Sequence, residues 1–571
     1  MKNYLSILYL AALLSVLPAC SWIAEDPQSL VMPNDIPDSE EGCAQWVTGV
    51  YSKWIYDMFC WGYFPKVLEF DADYISGPDW LFGTFGAGNF QGESDITDAL
   101  WNGCYGLIGR AELAETQIAA MQNISAEVRN NAIGECRFHK ALAYFLLVRA
   151  YGEVPLLEDP NSANIEDKSQ PRQPIAAVYQ EICTLLEDAS KRLYKNTHAN
   201  YQPGHVCAGS AAGLLAKVYA TMASAAMPEG TPVVVRTGAA YTDLNGEKTF
   251  APLVSLTLSK QTVAGYEQMD YTRYYRLASE YAKALIDGEY GDHTLLPYDQ
   301  LWLRANACAS EFLFSVGSVS GDAVYKNSVH TLYEGYFESA GSELIASGGW
   351  CGCTRHWYDL FDPADYRVVY GVKHRWRYYY QEESGTAFFY PYNDTYQAMV
   401  DSRQAPFNDG LNYYATMDAQ CLAFTTKYAD VSDNSIEYAD ANFPMLRLAD
   451  VYLIYAEAEN ELGNADNALT YLNKVRERSH APLANAVSDK NTLRSLIIEE
   501  RAKELACEAD RRWDLIRWGI YLDAMNAVSN GTYTDDGHIV KSREKKHLLF
   551  PIPQAELNTN RLINQNNPGW N

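Results

Sequence analysis

The sequence is short of positive charge. Its 571 residues hold 45 Lys and Arg against 72 Asp and Glu, a formal charge of −27. Nucleic-acid binding requires clustered cations facing phosphates, so this balance argues against that class of partner. Beyond the first residues there is no apolar run of 18 or more, and no later segment is expected to span a bilayer as a helix. Catalytic signatures are missing as well. Without H-E-x-x-H, G-x-S-x-G or G-x-x-x-x-G-K-[ST], zinc proteases, serine hydrolases and P-loop enzymes lack their minimal parts. Gly83–Gly88 is glycine-rich but carries no lysine for phosphate, and reads as a flexible loop. Cys-x-x-Cys is absent too; Cys351-Gly352-Cys353 is a single close pair with no second pair at zinc spacing, so neither a metal nor a cofactor is expected. A glycosidase needs two carboxylates a few ångströms apart. The 72 acids leave that open, but no motif marks such a pair.

What is present begins with Lys2, an apolar run from Tyr4 to Val16, and Leu17-Pro18-Ala19-Cys20. This is the layout of a cleaved secretion signal, too short to be a membrane span. With a cysteine where the processed chain would begin, the segment resembles a bacterial lipobox, which makes Cys20 the expected lipidation site; an ordinary secretion signal with an incidental cysteine is the alternative. Several acyl chains would hold the body at a membrane permanently, where one alone would not. Processing would remove Lys2 and no acid, taking the formal charge from −27 to −28. Acylation of Cys20 leaves eleven of the 12 cysteines, so at least one stays unpaired or pairs between chains. Buried free thiols with a disulfide or two are expected.

Helical periodicity dominates the rest. From Ile133 to Tyr151, apolar residues recur every three to five positions before Gly152 and Pro155 end the helix. Similar amphipathic segments cover 176–193, 208–225, 274–286, 446–462, 465–478 and 493–518. Within 449–479, a helix ending at Leu462-Gly463-Asn464 is followed at once by another from Ala465, a length and break similar to one tetratricopeptide unit. Such units stack because none buries its apolar face alone. Residues 231–268, with Val233-Val234-Val235 and Leu253–Leu258, read as short strands inserted between helices. Residues 321–442 are rich in Gly, Tyr, Trp and Asp with weak periodicity, and read as a loop-rich insert of the kind that carries function.

Four motifs then point to a family. Gly134-Glu135-Cys136-Arg137-Phe138 through Arg149-Ala150-Tyr151-Gly152-Glu153-Val154-Pro155 is the first. Pro444-Met445-Leu446-Arg447-Leu448-Ala449-Asp450-Val451 into Tyr455-Ala456-Glu457-Ala458 is the second. The others are Glu499–Leu505 through Arg511-Arg512-Trp513-Asp514-Leu515-Ile516-Arg517-Trp518-Gly519, and Leu549-Phe550-Pro551-Ile552-Pro553 to Asn567-Pro568-Gly569. In sequence and order they resemble the motifs of the SusD/RagB family, surface glycan-binding lipoproteins of Bacteroidetes. The resemblance implies a mainly α fold, a helical body of tetratricopeptide-like pairs with loop-rich inserts and short strands. It implies a partner, a SusC-like TonB-dependent outer-membrane transporter, and a lipid-anchored location on the outer membrane facing the exterior. Glu25 and Asp26 resemble the export signal of such lipoproteins.

The expected division is a signal at 1–19, a tether at 20–40, an N-terminal helical region at 41–320 with a strand-containing insert near 231–268, the aromatic insert at 321–442, and a C-terminal helical region at 443–571. The charged motif residues Arg447, Glu457, Arg501, Glu504, Arg512 and Asp514, with Trp513, lie on amphipathic helices and are expected to hold structure. Aromatics are the informative surplus, with 42 Tyr and 13 Trp against 19 Phe. A sugar presents an apolar C–H face and a polar rim, which suit an aromatic ring beside Asp, Asn or Arg. Two stretches qualify. Residues 71–90 contain Asp73, Trp80, Phe82 and Asn89, in the early loop where SusD-like proteins place part of their ligand site. Residues 350–392 contain Trp350, Trp376, Tyr378 and Tyr390. The expected activity is capture of an oligosaccharide without chemistry, and its delivery to the transporter. Peptide uptake in the manner of RagB-like relatives, a helical glycoside hydrolase, and a lid with no ligand of its own are the alternatives.

Overall fold

The computed structural model describes residues 35–59, 63–77, 82, 85–86, 88–89, 94–157, 169–244, 247–322, 324–335, 337–340, 343–346, 349–376, 386–390, 412–414, 422–485, 487, 489–529 and 541–570. The architecture is mainly α. In chain order the N-terminal elements are α1 (Glu40–Lys53), a π-helical turn (Trp54–Phe59), α2 (Tyr63–Glu69), β1 (Ile75–Ser76), α3 (Asp95–Ala120), α4 (Ala126–Tyr151), α5 (Ile175–Arg192) and α6 (Ala208–Ala226). Next come β2 (Pro232–Thr237), β3 (Val254–Ser259), α7 (Tyr271–Ile286), β4 (Phe312–Val316), β5 (Gly352–Cys353), β6 (Arg375–Trp376), β7 (Thr386–Phe389) and β8 (Asn412–Tyr414). The chain closes through β9 (Phe443–Arg447), α8 (Leu448–Leu462), α9 (Ala465–Arg478), α10 (Lys490–Glu504), α11 (Arg511–Arg517) and α12 (Tyr521–Ser529).

Successive helices pack as hairpins: α3 on α4, α4 on α5, α5 on α6, α6 on α7, and α8 on both α7 and α9. Helix α4 starts where the Ser125 hydroxyl accepts from the Val128 N–H at 3.1 Å, a standard N-cap. It stops at Gly152, whose φ of +73° suits a residue without a Cβ. Every residue of α6 from Ala208 to Ala225 is buried, and its run of Ala, Gly and Ser lets neighbours approach closely. At Gly213 a Cβ would sit 2.7 Å from the Leu313 side chain. The α8–α9 hairpin turns at Gly463, in the left-handed region at φ +91°. β2 and β3 pair antiparallel from Pro232↔Ser259 to Thr237↔Val254, and β4 pairs with β9.

The segment 493–518, periodic enough to read as one helix, is two. Between α10 and α11 the chain reverses through Cys507 and Ala509, at φ +62° and +66°. That turn is held by the Cys507 N–H donating to the Glu69 carboxylate at 3.0 Å. All nine described cysteines are free thiols, and only Cys308 is exposed. Among the described residues no helix is long and apolar enough to cross a membrane.

Apart from Arg512, which pairs with Asp71, the charged motif residues named above sit inside the protein in two ion-pair networks. Glu504 is shared by Arg447 at 3.1 Å, Arg367 at 3.3 Å and Arg478. Arg447 also reaches Glu311 at 2.9 Å and Glu508 at 2.7 Å. In the second network, Arg501 joins Asp450 at 2.6 Å to Asp514 at 2.8 Å, and Arg517 joins Asp514 to Glu457. Burial alone would raise the Glu504 carboxyl, but Arg478, Arg447 and Arg367 hold it well below the usual carboxylate range.

Candidate functional site

Helix α2 delivers the chain into residues 70–77, where each acid meets an arginine from the far end of the sequence. Asp71 accepts from Arg512, from the Arg543 Nε at 3.0 Å and from the Tyr521 hydroxyl. Asp73 takes a two-pronged bond from Arg511, Nε at 2.7 Å and Nη2 at 2.8 Å, the planar fork that guanidinium and carboxylate favour. Arg511 also lies over the Tyr74 ring, 4.7 Å from its centroid.

Clamped this way, the chain forms β1, which pairs antiparallel with β5, Ile75 opposite Cys353 and Ser76 opposite Gly352. The Thr354 N–H donates to the Tyr74 carbonyl at 2.8 Å. Gly77 then passes so close to the second stretch that a Cβ would lie 3.0 Å from the Trp350 carbonyl oxygen. The two aromatic stretches, far apart in sequence, therefore share one short ladder. Trp350 is half-buried at its end, with its N–H and that of Cys351 both donating to the Leu332 carbonyl, at 2.9 and 2.8 Å.

The expected site residues divide between this surface and the interior. Trp350 and Asn89 are partly accessible. Asp73, Phe82 and Tyr390, expected to face a ligand, are buried instead. Asp73 is saturated by Arg511. Phe82 packs on Phe70, ring centroids 5.6 Å apart, and Tyr390 meets Tyr358 edge-on at 5.1 Å. Their part is to seat the loops. Arg543 helps, its Nη2 donating to the carbonyls of Phe85 and Gly86 at 3.1 and 2.8 Å. Trp376 lies in β6 opposite Phe388, and only its backbone is described. Cys20, Trp80 and Tyr378 lie outside the described residues.

Glu69 sits under this ladder, fully buried. Burial pushes its carboxyl up to about 8, against the opposing pull of the Cys507 and Ala509 backbone N–H groups. The folded protein thus holds a proton on Glu69 that the unfolded chain releases near its ordinary value. Glu69 contributes stability that is complete below about 4.5 and lost as pH rises through about 8. Glu69→Gln is expected to flatten the decline of urea-unfolding free energy across that window. An unchanged slope would show that the carboxyl is already ionised in the folded state.

A second opening was not signalled by the sequence. It is a cavity of about 540 Å³ lined by Tyr194, Tyr201, Asn131, Glu135 and His205. Glu135 accepts from His205 at 2.8 Å, from the Tyr51 hydroxyl at 2.7 Å and from Asn131 at 2.8 Å. Burial would lower the His205 pKa, and Glu135 raises it above its ordinary value instead. Glu135 stands in a family motif, and its partners come from distant segments that no local pattern links.

A stack of helical hairpins and a clamped ladder thus bring parts of the two aromatic stretches together. The SusD family model matches residues 354–570, and a model described as "Starch-binding associating with outer membrane" matches residues 25–220. A SusD-like protein of Formosa agariphila is 23% identical over 99% of this chain and 98% of its own. The crystal structure of a SusD homolog from Bacteroides thetaiotaomicron superposes with a TM-score of 0.72 at 22% identity, covering 96% of this chain and all of that one. A laminarin-binding SusD-like protein gives a TM-score of 0.63 at 20% identity, over 93% of this chain and 99% of that one. Models of SusD-like families thus match both the N-terminal and the C-terminal part of the chain and support a SusD/RagB-type protein.

Proposed function

We propose that this chain is a surface lipoprotein, tethered through Cys20 to the outer membrane, that captures an oligosaccharide and passes it to a SusC-like TonB-dependent transporter without chemically changing it. The observation that carries this reading is the β1–β5 ladder, which joins the two aromatic stretches at one place. The names of relatives, starch-binding and laminarin-binding among them, point the same way. Trp350 and Asn89, with Trp80, Trp376 and Tyr378, are the proposed contacts. Asp73, Phe82 and Tyr390 fix the loops that present them.

Aromatic contact with sugar C–H faces over a shallow surface gives modest affinity, and each stacked ring contributes on the order of 1 kcal/mol. Trp350→Ala is therefore expected to weaken binding about tenfold in calorimetry or affinity gels against the best polysaccharide of a broad panel. No binding across that panel, with binding to a peptide panel, would replace this reading with peptide uptake. Release of sugar products by the purified chain would replace it with a glycosidase.

A further inference from the structure

A further cavity has a volume of about 720 Å³, within the range of small-molecule sites. It lies among the C-terminal turns of α4 and α6, residues 261–266, α11, the start of α12 and residues 545–549. Much of its wall is apolar, from Val148, Ile175, Val263, Ile516, Leu522 and Leu548. Its polar groups are unbalanced toward donors.

Arg149 is the centre of that imbalance. Its guanidinium stacks on Phe145, 4.0 Å from the ring centroid, and lies 5.1 Å from the centroid of Trp513. Its one hydrogen bond among the described residues is a long one, Nε to the Phe145 carbonyl at 3.3 Å. Among the described residues no carboxylate pairs with it, whereas the other motif arginines are paired with acids. Burial pushes its pKa down, an effect that nearby Asp510 only partly opposes. On the same wall the Trp513 indole N–H is buried without an acceptor. The hydroxyls of Tyr266 and Tyr179 share one bond at 2.9 Å, which leaves the accepting hydroxyl with a proton to place. Lys545 and Lys546 stand on the cavity's edge, against the exposed acids Glu229 and Asp523.

A buried donor without an acceptor is costly, and here the Trp513 N–H lies with the half-buried Arg149 guanidinium on the wall of a largely apolar space. We infer that this cavity binds a small carboxylate with an apolar body, its carboxylate received by the Arg149 guanidinium and the Trp513 N–H and its ring or alkyl chain by the surrounding aliphatic wall. A guanidinium offers two parallel N–H groups to a carboxylate, and the volume leaves room for a single ring beside it. No residue of β1 or β5 lines the cavity, and the inference does not depend on what the β1–β5 face binds.

The test uses the purified full chain and phenylpropanoate as the probe, with its neutral amide as the control, in titration calorimetry and Trp fluorescence. Phenylpropanoate is expected to bind at least tenfold more tightly than the amide. Arg149→Met, which removes a half-buried cation without orphaning an acid, is expected to keep the thermal transition and lose that preference. Ala264→Trp, at the exposed mouth, is expected to block the probe while leaving Arg149 in place. Equal binding of acid and amide would overturn the inference, as would unchanged phenylpropanoate affinity in both variants, or no binding by the unaltered chain at millimolar probe.

Discussion

Replacing Glu504 with alanine is expected to destabilise the protein by about 3–5 kcal/mol, the cost of breaking a buried ion pair by removing one partner. Three guanidiniums, of Arg447, Arg478 and Arg367, converge on this one carboxylate, and the variant would leave them facing one another in a region closed to water. The remaining acids, Glu311, Glu500, Glu508 and Asp365, already serve the same arginines and are too few to replace the lost carboxylate fully. Urea unfolding followed by circular dichroism measures the change. A loss below about 1 kcal/mol would mean that the network is hydrated, since exposed pairs contribute no more than that. Because the Glu504 carboxyl is held below its ordinary value, its contribution is complete above about 4.5 and disappears as pH falls through the folded value. Its pH dependence therefore runs opposite to that of Glu69.

Arg511→Met is expected to cost about as much, roughly 3–5 kcal/mol, and to abolish ligand capture at the same time. Arg511 is the sole cation bonded to Asp73 among the described residues, so its loss strands a buried carboxylate directly before β1. Asp73 would then seek water, pulling β1 from β5 and parting the two aromatic stretches. Asp73→Leu combined with Arg511→Met removes both charges. It is expected to recover most of the stability, because replacing a whole buried pair with apolar groups is often neutral. If the double variant is as unstable as the single, the effect lies in lost packing of Arg511 over Tyr74. Calorimetry with the glycan then reads whether ladder geometry returned along with stability.

The helices were legible where apolar residues repeat on one face. The segments 176–193, 208–225 and 465–478 agree with α5, α6 and α9 to within a residue or so. Helix α4 begins seven residues before the first recognised apolar position, because its opening turns, from Ala126 to Ala132, are mostly polar with only Ala132 buried, and only the Ser125 cap marks them. The break between α10 and α11 was invisible, since neither Cys507 nor Ala509 is a residue that signals a left-handed backbone. What forces that turn is a hydrogen bond to Glu69, more than 400 positions away. The aromatic stretches were recognisable by composition, but composition does not separate a ring that seats a loop from one the loop presents. Phe82 and Tyr390 are of the first kind, and only packing reveals it. Asp73 read as a sugar ligand for the same reason: its arginine comes from the other end of the chain.

That separation also sets an order of events. The Asp73–Arg511 pair spans 438 positions and the Asp71–Arg543 pair 472, so the ladder rests on contacts whose second halves are made last by the ribosome and emerge last from any export channel. Closing loops of that size is slow, whereas α3 to α7 need only neighbours. The hairpins of α3 to α7 can thus form while the clamp is still open, with Asp71 and Asp73 solvated. The β1–β5 ladder is therefore clamped only once the closing segment docks.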